Sequence, residues 1–221
     1  MTRLRLIIAP ALVLIVCIFG MTSAALCLDK MDMKVLEWNG GCDSGSLDDF
    51  MTNLSEAWNS ENLILASLPV VFYGDRRAFL CLELAWKSLV ISESTVGLLK
   101  IATNRQRPNG EKHSRANSSF PSGHATSSFA VAYSVSRYYP RWSVPAFAAA
   151  SLISYSRVYL DAHYPSDVIV GAGIGILSSY IAHRYLGAWH VDREAFVARL
   201  PFRIDVGPGH GRVRVYFSRA M

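Results

Sequence analysis

Lys100 and Arg107 bracket the end of an apolar segment, and Pro108 keeps the chain from continuing there as helix. An ammonium and a planar guanidinium so placed reach one anion from two directions, the first as a point charge and the second as a fork. Further along, Pro121-Ser122-Gly123-His124 opens a helix. Its free backbone N–H groups form a seat for an oxyanion or phosphate, with Gly123 allowing close approach and Ser122 adding a hydroxyl. His124 stands on the first turn beside that seat, where a proton donor to a leaving group belongs. A third segment holds Ser156, Arg157, His163 and Asp167. Arg157 ends an apolar helix and needs an anionic partner, because a guanidinium buried alone is costly. Asp167 begins the next helix within reach of one imidazole nitrogen of His163, which fixes the tautomer presented. An imidazole held that way and facing a phosphate is an activated nucleophile. Taken singly, each segment reads equally well as a capped helix, a solvated basic loop or a structural His–Asp contact.

The elements that must position these groups are helices. Apolar periodicity and punctuation by Pro and Gly predict helices at 60–72, 77–102, 122–138, 143–159 and 166–186. An earlier helix capped by Ser46 would carry Leu47, Phe50, Met51, Leu54 and Trp58 on one face. The expected class is all-α, a bundle of about six helices. Past a short helix near 192–199, strand-like stretches at 202–206 and 213–217 flank a Gly- and Pro-rich turn, which predicts a small C-terminal β-hairpin appendage. Gly171, Gly173 and Gly175 would let the last long helix approach a neighbour closely.

With 221 residues the chain has room for one domain of ordinary size, and 51% hydrophobic against 18% charged residues exclude an intrinsically disordered protein. The four cysteines lie far apart without a CxxC pair, so neither a zinc site nor a thioredoxin-type motif is expected. Cys27 and Cys42 could pair in an oxidising compartment. The net charge of +5 is uneven. Residues 26–61 carry eight acids against two lysines, whereas 100–115 carry five basic residues against Glu111 alone. A local basic cluster in an otherwise balanced chain points to an anionic ligand rather than to nucleic acid. His113, His183, His190 and His210 have no recognisable partners and read as solvent-facing or turn residues.

Arg3 and Arg5 precede an uncharged stretch, 6–28, that passes through Thr22, Ser23, Ala24 and Ala25. This reads as a signal peptide ending near residue 25, or as an uncleaved first transmembrane helix. Either would export the adjoining acidic segment. The segment 78–103 reads as amphipathic, with Glu83 and Lys87 on its polar side and a broad apolar face opposite. Charges at such positions favour a soluble or surface-associated protein over a bundle of six spans.

Together the three segments resemble the superfamily of type 2 phosphatidic acid phosphatases and vanadium haloperoxidases, whose signature is Lys-x6-Arg-Pro, Pro-Ser-Gly-His and Ser-Arg-x5-His-x3-Asp. The match falls at Lys100, Arg107, Pro108, Pro121, Ser122, Gly123, His124, Ser156, Arg157, His163 and Asp167. The resemblance implies a helical bundle and a metal-independent phosphatase working through a phosphohistidine. His163 would attack phosphorus, Asp167 would orient it, and His124 would protonate the leaving oxygen and then activate water. Lys100, Arg107, Arg157, Ser122 and the Gly123 amide would hold the non-bridging oxygens. No cofactor is implied, and vanadate is expected to act as an inhibitor that mimics phosphate. The expected substrate is a phosphate monoester or diphosphate, above all a lipid phosphate such as phosphatidic acid, an isoprenyl diphosphate or lipid A. The expected place is the periplasm or the periplasmic face of a membrane, with a membrane surface or bilayer as partner. The alternatives within the resemblance are a vanadium-dependent haloperoxidase and a soluble periplasmic acid phosphatase of broad specificity. The implied organisation is a leader at 1–25, an acidic segment at 26–59, the catalytic domain at 60–190 and a tail at 191–221.

Overall fold

The computed structural model describes residues 32–35, 45–110, 114, 117–186, 202–206 and 213–217. The expected leader, the Cys27–Cys42 pair, the short helix near 192–199 and parts of the acidic segment lie outside these residues. A helical turn at 32–35 precedes α1 (Gly45–Ala57), α2 (Ser60–Tyr73) and the long α3 (Arg76–Thr103). After a loop come α4 (Gly123–Tyr138), a 3-10 turn (Pro140–Trp142), α5 (Ser143–Tyr159) and α6 (Pro165–Leu186). Strands β1 (Phe202–Val206) and β2 (Val213–Phe217) pair antiparallel, with Ile204 opposite Val215.

Local chemistry accounts for the helix ends that matter to the site. Asp75 caps α3 by accepting from the Ala78 N–H at 2.7 Å. At the other end Asn104 adopts the left-handed conformation with φ 47°, which asparagine tolerates, and turns the chain out of the helix. Ser122 caps α4, and Pro165 occupies the first position of α6, where a missing N–H costs nothing. The helix α1 begins at Gly45, so Ser46 sits within its first turn rather than at the cap, and Phe50 is exposed instead of sharing the buried face of Met51.

Helix α4 is the centre of the bundle, in contact with α3, α5 and α6. Its inward residues are small: Ala125, Ser128, Ala130, Ala132 and Ser134 are buried. The hydroxyls of Ser134 and Ser179 both bond to the Ala130 carbonyl at 2.9 Å, so these two buried serines are satisfied inside the core. On α6, Gly171 and Gly175 make the close contact. A Cβ would stand 2.6 Å from the Ser122 carbonyl oxygen at the first and 2.2 Å from that of Thr126 at the second. Backbone therefore packs on backbone, and α6 is pinned so that residues 163–167 lie beside 119–124. The Ser122 N–H completes the junction by donating to the Asp167 carbonyl at 3.1 Å.

The long helix α3 departs from expectation. Glu83 and Lys87, expected on an outer polar face, turn inward: their 2.6 Å ion pair is largely buried, and Lys87 also donates to the Leu186 carbonyl at the end of α6. Val90, Leu98 and Ile101 point outward instead, Leu98 with 72% exposure. The ammonium finds a helix C-terminus, where a cation is favoured, and the apolar side chains are left outside. Ile64 and Leu65 of α2, Val144 of α5 and Ile169 of α6 are exposed as well. By length and composition, α6 is one helix able to cross a membrane, although 56% of its apolar stretch is buried within the protein.

Candidate active site

His163 lies in the turn between α5 and α6. Asp161 takes a positive φ of 50°, and the N–H groups of Ala162 and His163 both return to the Arg157 carbonyl, at 3.0 and 3.1 Å. The loop thus curls back over the end of α5 and sets the imidazole beside Arg157. Only 2% of His163 is exposed. Its Nδ1 lies 2.7 Å from the Ser119 carbonyl, which can only accept, so Nδ1 carries the proton and Nε2 keeps its lone pair. The carboxylate of Asp167 stands 3.8 Å from Nδ1, too far for the direct hydrogen bond anticipated from the sequence. The Ser119 hydroxyl fills the gap by donating to Asp167 Oδ2 at 2.5 Å, so the support of the imidazole is shared between a carbonyl and a carboxylate.

Burial lowers the affinity of His163 for a proton and outweighs the opposite pull of Asp167, and the charges of Arg107 and Arg157 act in the same direction as burial. The imidazole is neutral at neutral pH, the state a nucleophile needs. For Asp167, burial pushes the carboxyl up, but facing His163, Arg105 and the Ser119 hydroxyl prevail and hold it below the usual carboxylate range.

His124 follows Ser122 at the start of α4, with its Nε2 3.2 Å from the Ser55 carbonyl of α1. Burial first, then the charges of Arg157 and Lys100 and the neighbouring His163, which cannot share a second proton, bring its pKa from 6.5 down to about 4. The same interactions show that the two histidines, Lys100 and Arg157 converge on one place. Lys100 also senses Arg107 and Asp167. Arg107 donates from Nη1 to the Ala162 carbonyl at 3.2 Å, and Arg157 donates from Nη1 to the Ser55 hydroxyl. Gly123 faces open space, with no atom within 4 Å of the position a Cβ would take. Ser122 is fully buried, and its hydroxyl accepts from the Ala125 N–H at 3.5 Å as the cap of α4. It thus aims the helix N-terminus at the site rather than standing in the open cleft. All the residues anticipated from the sequence therefore meet at one end of the bundle.

Beside His124 the site opens into a cleft of about 340 Å³ lined by Trp58, Leu63, Ile64, Trp86 and Leu89, with Asn59, Glu93 and Ser127 among its polar members. Four further residues were not singled out by sequence reasoning: Asp32, Ser55, Arg105 and Ser119. Arg105 differs from the others in that the basic cluster already held it, two positions before Arg107. Asp32 and Ser55 come from the acidic segment, and no local pattern could have announced their long-range contacts. Among the described residues no group of His, Cys, Asp and Glu is arranged to hold a metal ion.

The family model of the PAP2 superfamily matches residues 84–190. A protein of Rhizobium johnstonii named lipid A 1-phosphatase is 37% identical over 100 residues, covering 40% of this chain and 41% of that protein. An undecaprenyl-diphosphatase of Sulfolobus acidocaldarius is 38% identical over 65 residues, covering 29% of this chain and 32% of its relative. The matched stretches are thus well under half the length of these curated relatives. The crystal structure of Aquifex aeolicus LpxE superposes with a TM-score of 0.61 at 25% identity, covering 69% of this chain and 94% of that one. The matched region contains every signature residue from Lys100 to Asp167, and over that region the chain is similar to the PAP2 superfamily.

Proposed function

We propose that this protein is a metal-independent phosphatase that removes phosphate from a lipid-borne phosphate ester or diphosphate by way of a phosphohistidine at His163. The observation that carries the reading is the buried neutral imidazole, with Nδ1–H spent on the Ser119 carbonyl, the Nε2 lone pair left for phosphorus, and the charges of Arg107 and Arg157 acting on the ring. Nε2 attacks phosphorus as the bond to the leaving oxygen breaks, and His124 gives that oxygen its proton. Water then attacks phosphorus, His124 takes the proton from the water, and the P–N bond breaks to restore His163. Lys100, Arg107, Arg157 and the amides at the start of α4 hold the non-bridging oxygens and stabilise the charge that spreads over them in the transition state. With its pKa at about 4, His124 is deprotonated in the empty site at neutral pH. An entering phosphate offsets the surrounding cations and raises its proton affinity, so substrate itself arms the acid. Vanadate takes the place of phosphate at the same seat.

A lipid substrate is supported by the leaving-group side. The cleft next to His124 is walled by Trp58, Leu63, Trp86 and Leu89, and the outer faces of α2, α3, α5 and α6 carry exposed apolar side chains. A surface of that composition suits a protein working at a membrane, and the names of the relatives fit lipid A or a polyprenyl diphosphate as substrate. The export signal read at 1–25 supports a reaction on the extracytoplasmic side. The test is phosphate release in EDTA by wild type and His163→Ala on p-nitrophenyl phosphate, phosphatidic acid, lipid A and an isoprenyl diphosphate. EDTA-resistant release that is lost in the variant and greatest on a lipid supports the reading. Release that survives in His163→Ala, or that requires a metal, overturns it.

A further inference from the structure

We infer that Asp32 and Arg105 are positioning residues for the nucleophile: Asp32, brought in by the acidic N-terminal segment, locks Arg105 onto Asp167 and so fixes the carboxylate that backs His163. The inference rests on the phosphohistidine reading and adds to it a part of the chain outside the matched family region.

The geometry is closely knit. Asp32 is 1% exposed, although it belongs to a segment whose acidic composition reads as a solvated arm. Its Oδ1 accepts from the Ser166 N–H at 2.9 Å, and its Oδ2 accepts from the Ser166 hydroxyl at 2.5 Å and from Arg105 Nη2 at 2.9 Å. The other arm of the same guanidinium, Nη1, donates to Asp167 Oδ1 at 2.5 Å and to the Ser166 hydroxyl at 2.8 Å. Arg105 also lies 4.0 Å from the centre of the Tyr164 ring, a cation–π contact that holds its plane. Asp167 is therefore gripped on one oxygen by Arg105 and on the other by the Ser119 hydroxyl and the Tyr164 N–H. With both oxygens fixed, the carboxylate has one orientation toward His163. A forked cation bridging two carboxylates is a task that lysine, with its single nitrogen, does not fulfil in the same geometry. Asp32 and Ser166 are separated by 134 residues in sequence, so the contact closes the N-terminal segment onto the catalytic end of the bundle.

The groups acting on this couple are Arg105, His163, Ser119 and Lys100 around Asp167, and Asp167, Arg107, Arg157 and His124 around His163. Without Arg105, Asp167 loses its main cationic partner and takes up a proton at higher pH. Its charge, while it lasts, then acts on the imidazole without the competition of that guanidinium, which raises the proton affinity of His163. Both changes move the acid limb of kcat/KM upward, whereas the phosphate-holding cations, and with them KM, are untouched.

The experiment uses the full chain with Asp32→Asn, Arg105→Gln, Arg105→Lys and the double variant Asp32→Asn/Arg105→Gln. Rapid-quench phosphoenzyme formation and the pH profile are measured on p-nitrophenyl phosphate, each rate being normalised to the active fraction given by the burst amplitude. We expect phosphorylation to slow by about ten- to a hundredfold in Asp32→Asn and Arg105→Gln, as for outer residues that orient a ligand. KM should change little, the acid limb should rise, Arg105→Lys should rescue only in part, and the double variant should be no slower than Arg105→Gln alone. Wild-type phosphorylation rates and pH limbs in both single variants would overturn the inference, as would fully additive losses in the double variant. Absence of a phosphoenzyme in wild type would instead contradict the mechanism beneath it, so the two failures are distinguishable.

Discussion

The two sides of the site are built differently. On the nucleophile side, His163, Ser119 and Asp167 are sealed from solvent and tied to one another and to Arg105 through a carbonyl, a hydroxyl and a guanidinium. On the leaving-group side, His124 meets the Ser55 carbonyl and faces a cleft walled by Trp58, Leu63, Trp86 and Leu89. A dense polar network in a low-dielectric setting fixes one geometry and tolerates little change. An apolar cleft sets no orientation but favours apolar bulk in proportion to area. The difference suggests a division of labour, in which the sealed side sets how fast phosphorus is attacked and the open side sets which alcohol or phosphate departs.

The strongest way to break this comparison is at its sealed end. Replacing His163 by alanine removes the attacking atom, and activity on every substrate should fall on the order of 10⁴-fold, as for a catalytic nucleophile. A substrate-dependent loss would show that the sealed side also selects. Next, Arg157→Ala takes away a cation that both histidines feel, and kcat should drop by roughly 10²–10³, measured with folding followed by circular dichroism. On the open side, Leu63→Trp fills the cleft and should raise KM for a lipid phosphate by about tenfold while leaving p-nitrophenyl phosphate nearly unchanged. Equal losses on both substrates would erase the proposed distinction between the sides.

A smaller effect concerns the joint that aligns them. At Gly175 a Cβ would lie 2.2 Å from the Thr126 carbonyl oxygen, so Gly175→Ala must push α6 from α4. The expected cost is about 1–3 kcal/mol, read as a lowered Tm, with kcat falling as the histidines separate. The mildest test is pH. The affinity of His163 for a proton is lowered, so the nucleophile stays free below the ordinary imidazole range as pH falls. The acid limb of kcat/KM should therefore lie below about pH 6.5, the usual value for histidine. A limb above that value would mean that Asp167 dominates over burial.

The family resemblance carried by Lys100, Arg107, Ser122, Gly123, His124, Arg157, His163 and Asp167 made this end of the bundle legible in the sequence, since each segment taken singly reads equally well as structure. Helices α2 to α6 were legible from apolar periodicity and from the Pro and Gly residues that punctuate it. Periodicity, however, states which side chains share a face and not which face turns inward. On α3 the charged pair Glu83–Lys87 found the end of α6, and Leu98 was left outside. The support from Asp32 and Ser55 was illegible because it comes from chain far away in sequence: Ser55 meets Arg157 across 102 residues. An acidic run seen alone has no visible destination, and only the fold shows that one of its carboxylates is buried against a half-buried guanidinium.

The central claim is covalent attack by His163. It is tested most directly by mixing the enzyme with radiolabelled substrate, quenching under alkaline conditions that preserve phosphoramidates, and mapping the label by mass spectrometry. The account predicts acid-labile phosphate on His163, formed faster than steady-state turnover in His124→Ala and absent from His163→Ala. Label on another residue, or turnover with inversion at phosphorus and no labelled protein, would contradict it.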